Sequence, residues 1–149
     1  MVIWCSDRPT NTNASPYPSS PPSLDEAPPL RVLVVEDELL IAMTLESMVE
    51  DFGYTVCATA MSGEEAVRKA VQTRPDVILM DINLGQGMDG IEAAQRAREA
   101  LGVRIVFVTA YGSASVRARI GTAMPDAVIV NKPVDSETLL NAIRRTGLS

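Results

Sequence analysis

Acidic and polar side chains follow short apolar runs at four places in this chain of 149 residues. The runs span residues 32–35, 77–80, 105–108 and 128–130, and the residues that follow them are Glu36, Asp37, Asp81, Thr109, Asn131 and Lys132. An apolar run of this length is typical of a strand that is buried on both faces. In an open parallel sheet the carboxyl ends of such strands border the crevice where ligands bind. The sequence therefore predicts a crevice suited to a divalent cation and a phosphoryl group.

Three carboxylates in one crevice would repel each other, and each charge raises the proton affinity of its neighbours. A divalent cation such as Mg²⁺ resolves this conflict, because carboxylate oxygens are the ligands it prefers. Taken alone, Glu36 and Asp37 also fit a simpler interpretation as favourable charges at the start of a helix. Taken alone, Asp81 also fits a buried residue that merely ends a strand.

The rest of the chain predicts the elements that would position these side chains. After Leu30, apolar runs alternate five times with amphipathic segments, which predicts an α/β fold with a doubly wound, five-stranded parallel sheet, (βα)5. We predict strands at 31–35, 54–59, 76–80, 104–108 and 127–130. We predict helices over 39–51, from a cap at Ser62 to 73, from Asp89 to about 102, from Ser113 to about 121, and from Asp135 to about 145.

Residues 1–29 differ from the rest in composition, since they hold seven of the ten prolines. Such a segment buries too little apolar surface to offset its ordering entropy. We predict a disordered Pro/Ser-rich arm over 1–29 and one folded domain over 30–149.

Composition excludes several classes of protein. The net charge is −6 and basic residues form no block, which argues against nucleic-acid binding. No apolar stretch reaches the roughly 18 residues that cross a bilayer, and the N-terminus has no signal-peptide pattern, so we expect a cytoplasmic protein without a membrane partner. The chain has no histidine, and a phosphoryl donor of that type would have to come from another molecule.

The chain resembles the CheY-like receiver domain of two-component response regulators over about residues 30–147. The resemblance rests on four dipeptides and one tripeptide in register, Glu36-Asp37, Met80-Asp81, Thr109-Ala110, Lys132-Pro133 and Met88-Asp89-Gly90. It implies a flavodoxin/CheY-like sheet with strand order 2-1-3-4-5 and a role in phosphorelay signal transduction. A sensor histidine kinase or histidine phosphotransfer protein would be the donor, and a downstream protein would be the target. We expect a single-domain type with no output domain, present as a monomer or weak homodimer.

The same resemblance implies a role for each residue of the site. Asp81 would be the phosphoacceptor, and Lys132 and Thr109 would contact phosphoryl oxygens while the small Ala110 leaves room for the group. Mg²⁺ (or Mn²⁺) would be held by Glu36, Asp37, Asp81 and the backbone carbonyl of Asn83. Pro133 would hold Lys132 in place through a cis peptide bond. Beyond its own phosphoryl transfer and slow autodephosphorylation, we expect no enzyme activity.

The chain departs from the family pattern at three positions. Glu36 stands where many members have aspartate, and Gly85 stands where a proline often follows the acceptor. Ile129 replaces the aromatic residue that usually takes part in the switch. Tyr111, two residues after Thr109, is the nearest aromatic residue that could take part in the switch, and we expect it to assume part of that role and to restrict water at the acceptor.

Three other functions are compatible with parts of the pattern. A flavodoxin-type cofactor binder would share the fold, but Glu36-Asp37-Glu38 would repel its phosphate. A phosphatase of the haloacid-dehalogenase type would need an Asp-x-Asp motif after the first strand. A degenerate interaction module would not need Asp81, Thr109 and Lys132 together.

Overall fold

The structure, a computed structural model, describes residues 28–110 and 113–147. Strands and helices alternate along these residues. They are β1 (Arg31–Val35), α1 (Leu39–Asp51), β2 (Thr55–Ala60), α2 (Gly63–Thr73), β3 (Val77–Asp81), α3 (Gly90–Leu101), β4 (Arg104–Thr109), α4 (Ala114–Ala123), β5 (Val128–Asn131) and α5 (Ser136–Arg145). Almost all of the predicted arm, and Tyr111, lie outside the described residues.

The five strands form one parallel sheet in the order β2-β1-β3-β4-β5. The predicted doubly wound α/β fold and its strand order are therefore confirmed. Alternate residues of β1 face opposite sides, since Leu33 belongs to the core cluster that includes residues of α2 and α3, while Val34 belongs to the cluster that includes residues of α1 and α5. Both faces of the central strands are covered, which explains why these strands read as continuous apolar runs.

Helix starts follow the predicted caps. The side chains of four N-cap residues accept a hydrogen bond from the amide three positions later, at Ser62, Asp89, Ser113 and Asp135. At Ser62 the cap differs from a reciprocal capping box, because Glu65 accepts from the Met61 amide at 2.7 Å.

Strand ends differ from the prediction by one residue, and the difference matters for the site. β3 continues to Asp81, β4 to Thr109 and β5 to Asn131. The ladder pairs Asp81 with Val108 and Thr109 with Asn131, so backbone pairing continues one step beyond the apolar runs. The polar residues are thus the last residues of strands, held by the sheet itself.

Helix α4 also runs further than predicted, because Gly121 lies inside it and the helix ends at Ala123. Within residues 28–110 and 113–147, no helix has the length and apolar character needed to cross a membrane.

Candidate functional site

Three carboxylates meet at the carboxyl ends of β1 and β3. The two strands are neighbours, and Val35 pairs with Met80, so the residues that come next in the chain lie side by side. Oxygens of Glu36, Asp37 and Asp81 all lie within 4.8 Å of one another. Glu36 is completely buried and Asp81 is 4% exposed, while Asp37 is the most exposed of the three.

Burial and charge change the protonation of the central carboxylate. Burial raises the pKa of Asp81 to about 7, with a further increase from the negative charge of Glu36 that Lys132 only partly opposes. The folded protein therefore holds Asp81 close to a balance between its acid and its carboxylate at neutral pH. A positive charge added to the cluster would favour the carboxylate.

Lys132 lies on the far side of the cluster, directly after β5. Its Nζ is 2.7 Å from Glu36 Oε1 and 3.6 Å from Asp81 Oδ2. Burial alone would lower the pKa of Lys132, but the carboxylates of Glu36 and Asp81 outweigh it and raise the pKa above its ordinary value. Lys132 is therefore a fixed positive charge, and the Lys132–Pro133 peptide bond is cis, as the resemblance implied.

The contacts of the two Glu36 oxygens indicate whether the cluster can accept a metal ion. Oε2 accepts a hydrogen bond from the Glu38 amide at 3.3 Å. Oε1 is enclosed and, among the described residues, has no well-directed hydrogen bond. Its contact with Lys132 is therefore an ion pair without hydrogen-bond geometry. A Mg²⁺ ion holds oxygens at about 2.1 Å, hence within about 4.2 Å of one another. Small side-chain rotations would bring the three carboxylates into that range, and the residues fit the cation.

Thr109 and Ala110 border the same crevice from β4. Thr109 is fully buried, and its carbonyl accepts a hydrogen bond from the Lys132 amide at 2.8 Å. This bond joins the ends of β4 and β5 and sets the position from which the lysine reaches the cluster. Ala110 is exposed directly beside it.

The loop from Asp81 to α3 is held tightly at both ends. The Asn83 amide donates to Asp81 Oδ1 at 3.2 Å, while Asn83 itself is exposed. Gly85 and Gly87 have φ of +76° and +89°, in the left-handed region that favours glycine. A Cβ on Gly90 would lie 2.0 Å from the Asp81 carbonyl oxygen, so only glycine allows this close approach.

Two side chains that the sequence did not identify tie this loop to its neighbours. Glu64 of α2 accepts from the Met88 amide at 3.1 Å. Arg119 of α4 donates to Asp89 at 3.0 Å. Their only sequence signal is charge on a helix, which does not reveal a partner 24 or 30 residues away.

An apolar groove of 460 Å³ opens beside Lys132, between α1 and the segment after β5. Its apolar lining comes from Ile41, Leu45, Met48, Val108, Pro133 and Val134. Next to it, α1 presents three largely exposed apolar side chains, Leu39, Leu40 and Met43.

Of the residues expected to act in a switch, the structure describes only one. Ile129 of β5 is partly buried and packs against the core beneath α2, α3 and α4. Tyr111 lies outside the described residues, so its expected role stays a prediction.

Comparison with known proteins gives one consistent result. Residues 32–144 match the family described as the response regulator receiver domain. Phyllosphere-induced regulator PhyR of Methylorubrum extorquens is 38% identical over 103 residues, covering 68% of this chain and 38% of that protein. Transcriptional regulatory protein PdtaR of Mycobacterium tuberculosis is 37% identical over 119 residues, covering 80% of this chain and 57% of that protein.

Solved structures agree with the sequence relatives. The crystal structure of the signal receiver domain of a modulated diguanylate cyclase from Desulfovibrio desulfuricans matches with a TM-score of 0.74 and 36% identity, over 80% of this chain and 94% of that one. By contrast, the chain spans only 38% and 57% of the length of the two curated relatives.

Proposed function

The chain belongs to the response regulator receiver domain family, and on that premise we propose that Asp81 is its phosphoacceptor. The observation that carries the proposal is the placement of Asp81 at the end of β3, with two carboxylates within 4.8 Å and the Lys132 ammonium at 3.6 Å. The donor is a phosphohistidine of a sensor histidine kinase or a histidine phosphotransfer protein.

In the proposed reaction an Asp81 carboxylate oxygen attacks the phosphorus of the donor. The new O–P bond forms as the P–N bond to the donor imidazole breaks, and the product is an acyl phosphate on Asp81. Lys132 and the Thr109 hydroxyl balance charge on the phosphoryl oxygens. The small side chain of Ala110 leaves the entrance open.

Glu36, Asp37, Asp81 and the Asn83 carbonyl are the residues that would hold Mg²⁺ or Mn²⁺. The cation supplies charge neutralisation for the incoming phosphoryl group. The residues themselves keep the attacking oxygen aimed, because Asp81 is fixed by the sheet and by the Asn83 amide.

The exposed apolar residues of α1 support a docking site for the donor. Leu39, Leu40 and Met43 are 54–78% exposed and lie at the end of α1 that adjoins the acidic cluster. A donor that covers them would bring its phosphohistidine to Asp81. Signalling then proceeds through a protein partner that distinguishes the two states, with no chemistry beyond transfer and slow hydrolysis.

Incubation with acetyl phosphate and Mg²⁺, followed by intact-mass measurement, tests the acceptor. We expect one acid-labile phosphoryl adduct on the wild type and none on Asp81→Asn, because an amide is a poor nucleophile in a nearly isosteric position. Asp76→Asn is the matched control, since Asp76 lies just before the opposite end of β3. An adduct of unchanged yield on Asp81→Asn would assign the acceptor to another residue.

A further inference from the structure

The loop between β3 and α3 carries two glycines in unusual conformations beside the acidic cluster. Gly85 lies next to Asp37, since a Cβ added to Gly85 would be 3.9 Å from Asp37 Oδ2. Gly85 and Gly87 both have positive φ, and neither has a side chain that could restrict its own backbone. The loop that carries the Asn83 carbonyl therefore depends on contacts with other elements to keep one conformation.

Helix α2 supplies such a contact from its first turn. The Glu64 carboxylate accepts a hydrogen bond from the Met88 amide, with 3.1 Å between Oε2 and the nitrogen, and this bond holds the pKa of Glu64 below its ordinary value. The two elements also meet closely, because a Cβ on Gly63 would lie 2.5 Å from the Met88 carbonyl oxygen. On the other side of the carboxylate, a Cβ on Gly87 would lie 2.9 Å from Glu64 Oε2. The glycines thus leave room for Glu64 to reach the loop.

We propose that Glu64 is a positioning residue for the cation site, which acts through the Met88 amide to keep the loop and its Asn83 carbonyl in place before the cation binds. This inference rests on the proposed function of the same site, in which that carbonyl is one of the ligands. Glu64 itself does not belong to the cluster of carboxylates that meet within 4.8 Å among the described residues. Its effect on the cation is therefore exerted through the backbone of the loop.

The advantage of this contact is that the loop is ordered in advance. A segment that becomes ordered only as a ligand binds weakens the affinity by the free energy of ordering it. In the metal-free structure the loop is tied near its start, where the Asn83 amide donates to Asp81, and near its end, where the Met88 amide donates to Glu64. Loss of the second tie would let residues 85–88 leave the cluster, and binding of the cation would have to bring them back.

Two conservative substitutions separate this role from a simple effect of charge. Glu64→Gln removes the charge but keeps an oxygen at the same reach, so it can still accept from the Met88 amide. Glu64→Asp keeps the charge but is shorter by one carbon–carbon bond of about 1.5 Å, which takes its oxygens out of hydrogen-bond range of that amide. A positioning role predicts that Glu64→Gln resembles the wild type and that Glu64→Asp resembles Glu64→Ala, whereas an effect of charge predicts the reverse.

Calorimetric titration of the full-length, metal-free chain with Mg²⁺ measures the effect. We expect Glu64→Ala and Glu64→Asp to bind Mg²⁺ about fivefold more weakly than the wild type, a factor of the size that one hydrogen bond contributes. Glu64→Gln should bind within about twofold of the wild type at about 0.1 M salt, where the field of a distant charge is screened. At saturating Mg²⁺ the yield of the phosphoryl adduct should be the same in all of them.

Glu137→Ala is the matched control. Glu137 is the second residue of α5, as Glu64 is the second residue of α2, and both are exposed and follow a side chain that caps the helix. Its substitution removes the same charge from the same position of a helix without touching the loop, and should leave Mg²⁺ affinity unchanged.

Labelling with ¹⁵N-glycine gives a second measurement, independent of the metal. Gly85 and Gly87 report on the loop, while Gly53 and Gly102, which also have positive φ but lie at the C-terminal ends of α1 and α3, are references. Amide relaxation of the metal-free protein should show greater mobility of the two loop glycines in Glu64→Asp than in the wild type or Glu64→Gln. The two reference glycines should be unaffected.

The role of Glu64 and the proposed function fail in different ways. A wild type that binds Mg²⁺ and accepts phosphoryl on Asp81, with folded Glu64→Ala and Glu64→Asp that bind Mg²⁺ as tightly, would overturn the role of Glu64 alone. Weak binding by Glu64→Gln combined with normal binding by Glu64→Asp would also overturn it, since charge would then be the cause. A wild type that neither binds Mg²⁺ nor forms the adduct would instead overturn the proposed function.

Discussion

The acidic cluster and helix α4 flank the same loop, but the protein holds them in opposite ways. Glu36 directly follows β1 and Asp81 is the last residue of β3, and the apolar residues of both strands are buried. Of the ten residues of α4, only Ile120 is buried. Tight packing fixes the atoms that would do chemistry, whereas a helix with one buried side chain can change position at small cost.

The loop between β3 and α3 connects these two sides. At the end of this loop Asp89 both caps α3 and accepts a hydrogen bond from Arg119 of α4, and Gly90, the first residue of α3, lies close against the backbone of Asp81. A displacement at Asp81 would therefore reach α4 through a backbone contact at one end and an exposed ion pair at the other. The comparison predicts that substitutions near Asp81 change the free energy of unfolding strongly, whereas substitutions in α4 change it little.

Gly90→Ala should have the largest effect on stability. The new Cβ would lie 2.0 Å from the Asp81 carbonyl oxygen and 2.8 Å from the Ile82 Cα, and neither backbone atom can rotate away. We expect a loss of about 3 kcal/mol in the free energy of unfolding, measured by urea denaturation. A loss below about 1 kcal/mol would mean that the backbone around Asp81 shifts at little cost. The acidic cluster would then not be packed more rigidly than α4.

Local signals in the sequence were enough to predict most of the fold. The buried strands β1 and β3 read as unbroken apolar runs because helices cover both faces of the sheet. The caps at Ser62 and Asp135 were also predictable, since each depends on a side chain and an amide three residues away. Strand order came from the family resemblance rather than from any local pattern.

Contacts between distant residues could not be predicted in the same way. The sequence brought Glu36 and Lys132 to one crevice but did not show that Lys132 lies closer to Glu36 than to Asp81. Likewise, nothing in the sequence distinguished Arg119 from the other charged residues of an exposed helix face, so its pairing with Asp89 was not predicted. Such pairings depend on side-chain length and on the exact spacing of packed elements, which periodicity does not report.

Cation binding should depend on pH because the buried position of Asp81 in the acidic cluster raises its pKa. Without a cation, the pKa of Asp81 is about 7 in the folded protein against an ordinary value of 3.8, so folding takes up a proton. Its contribution to stability therefore falls as pH rises between these values. Binding of Mg²⁺ requires the ionised form, and its apparent affinity should drop about tenfold from about pH 8 to about pH 6, or roughly 1.4 kcal/mol.

Thermal unfolding with and without Mg²⁺ at the two pH values measures this effect. Asp81→Asn is the control, because it removes the titrating group and should abolish most of the pH dependence. Stabilisation by Mg²⁺ that is equal at both pH values would show that Asp81 is already ionised in the folded protein, which would contradict the effect assigned to its burial.

Substitutions at the Asp89–Arg119 pair separate the cap of α3 from the attachment of α4. Asp89→Ala removes both the cap and the ion pair, and should cost about 1.5 kcal/mol. Asp89→Asn retains a good cap and loses only the charge, so it should cost about as much as Arg119→Ala, roughly 0.5 kcal/mol. Urea denaturation of the three variants measures these costs, and a cost above about 1 kcal/mol for Arg119→Ala would show that α4 is held more firmly than its burial indicates.

Gly121→Ala should have a similarly small effect, and one of opposite sign to that of Gly90→Ala. A Cβ at Gly121 meets no other atom within 4 Å, and its φ does not lie in the left-handed region, so alanine fits without strain. Alanine also loses less conformational freedom than glycine in a helix, and we expect a gain of about 0.5–1 kcal/mol. Urea denaturation measures the gain, while hydrogen exchange should show the greatest slowing in the amides of α4 itself. A loss of stability would mean that this face of α4 is covered, and the contrast between a tightly packed site and a lightly attached helix would no longer hold.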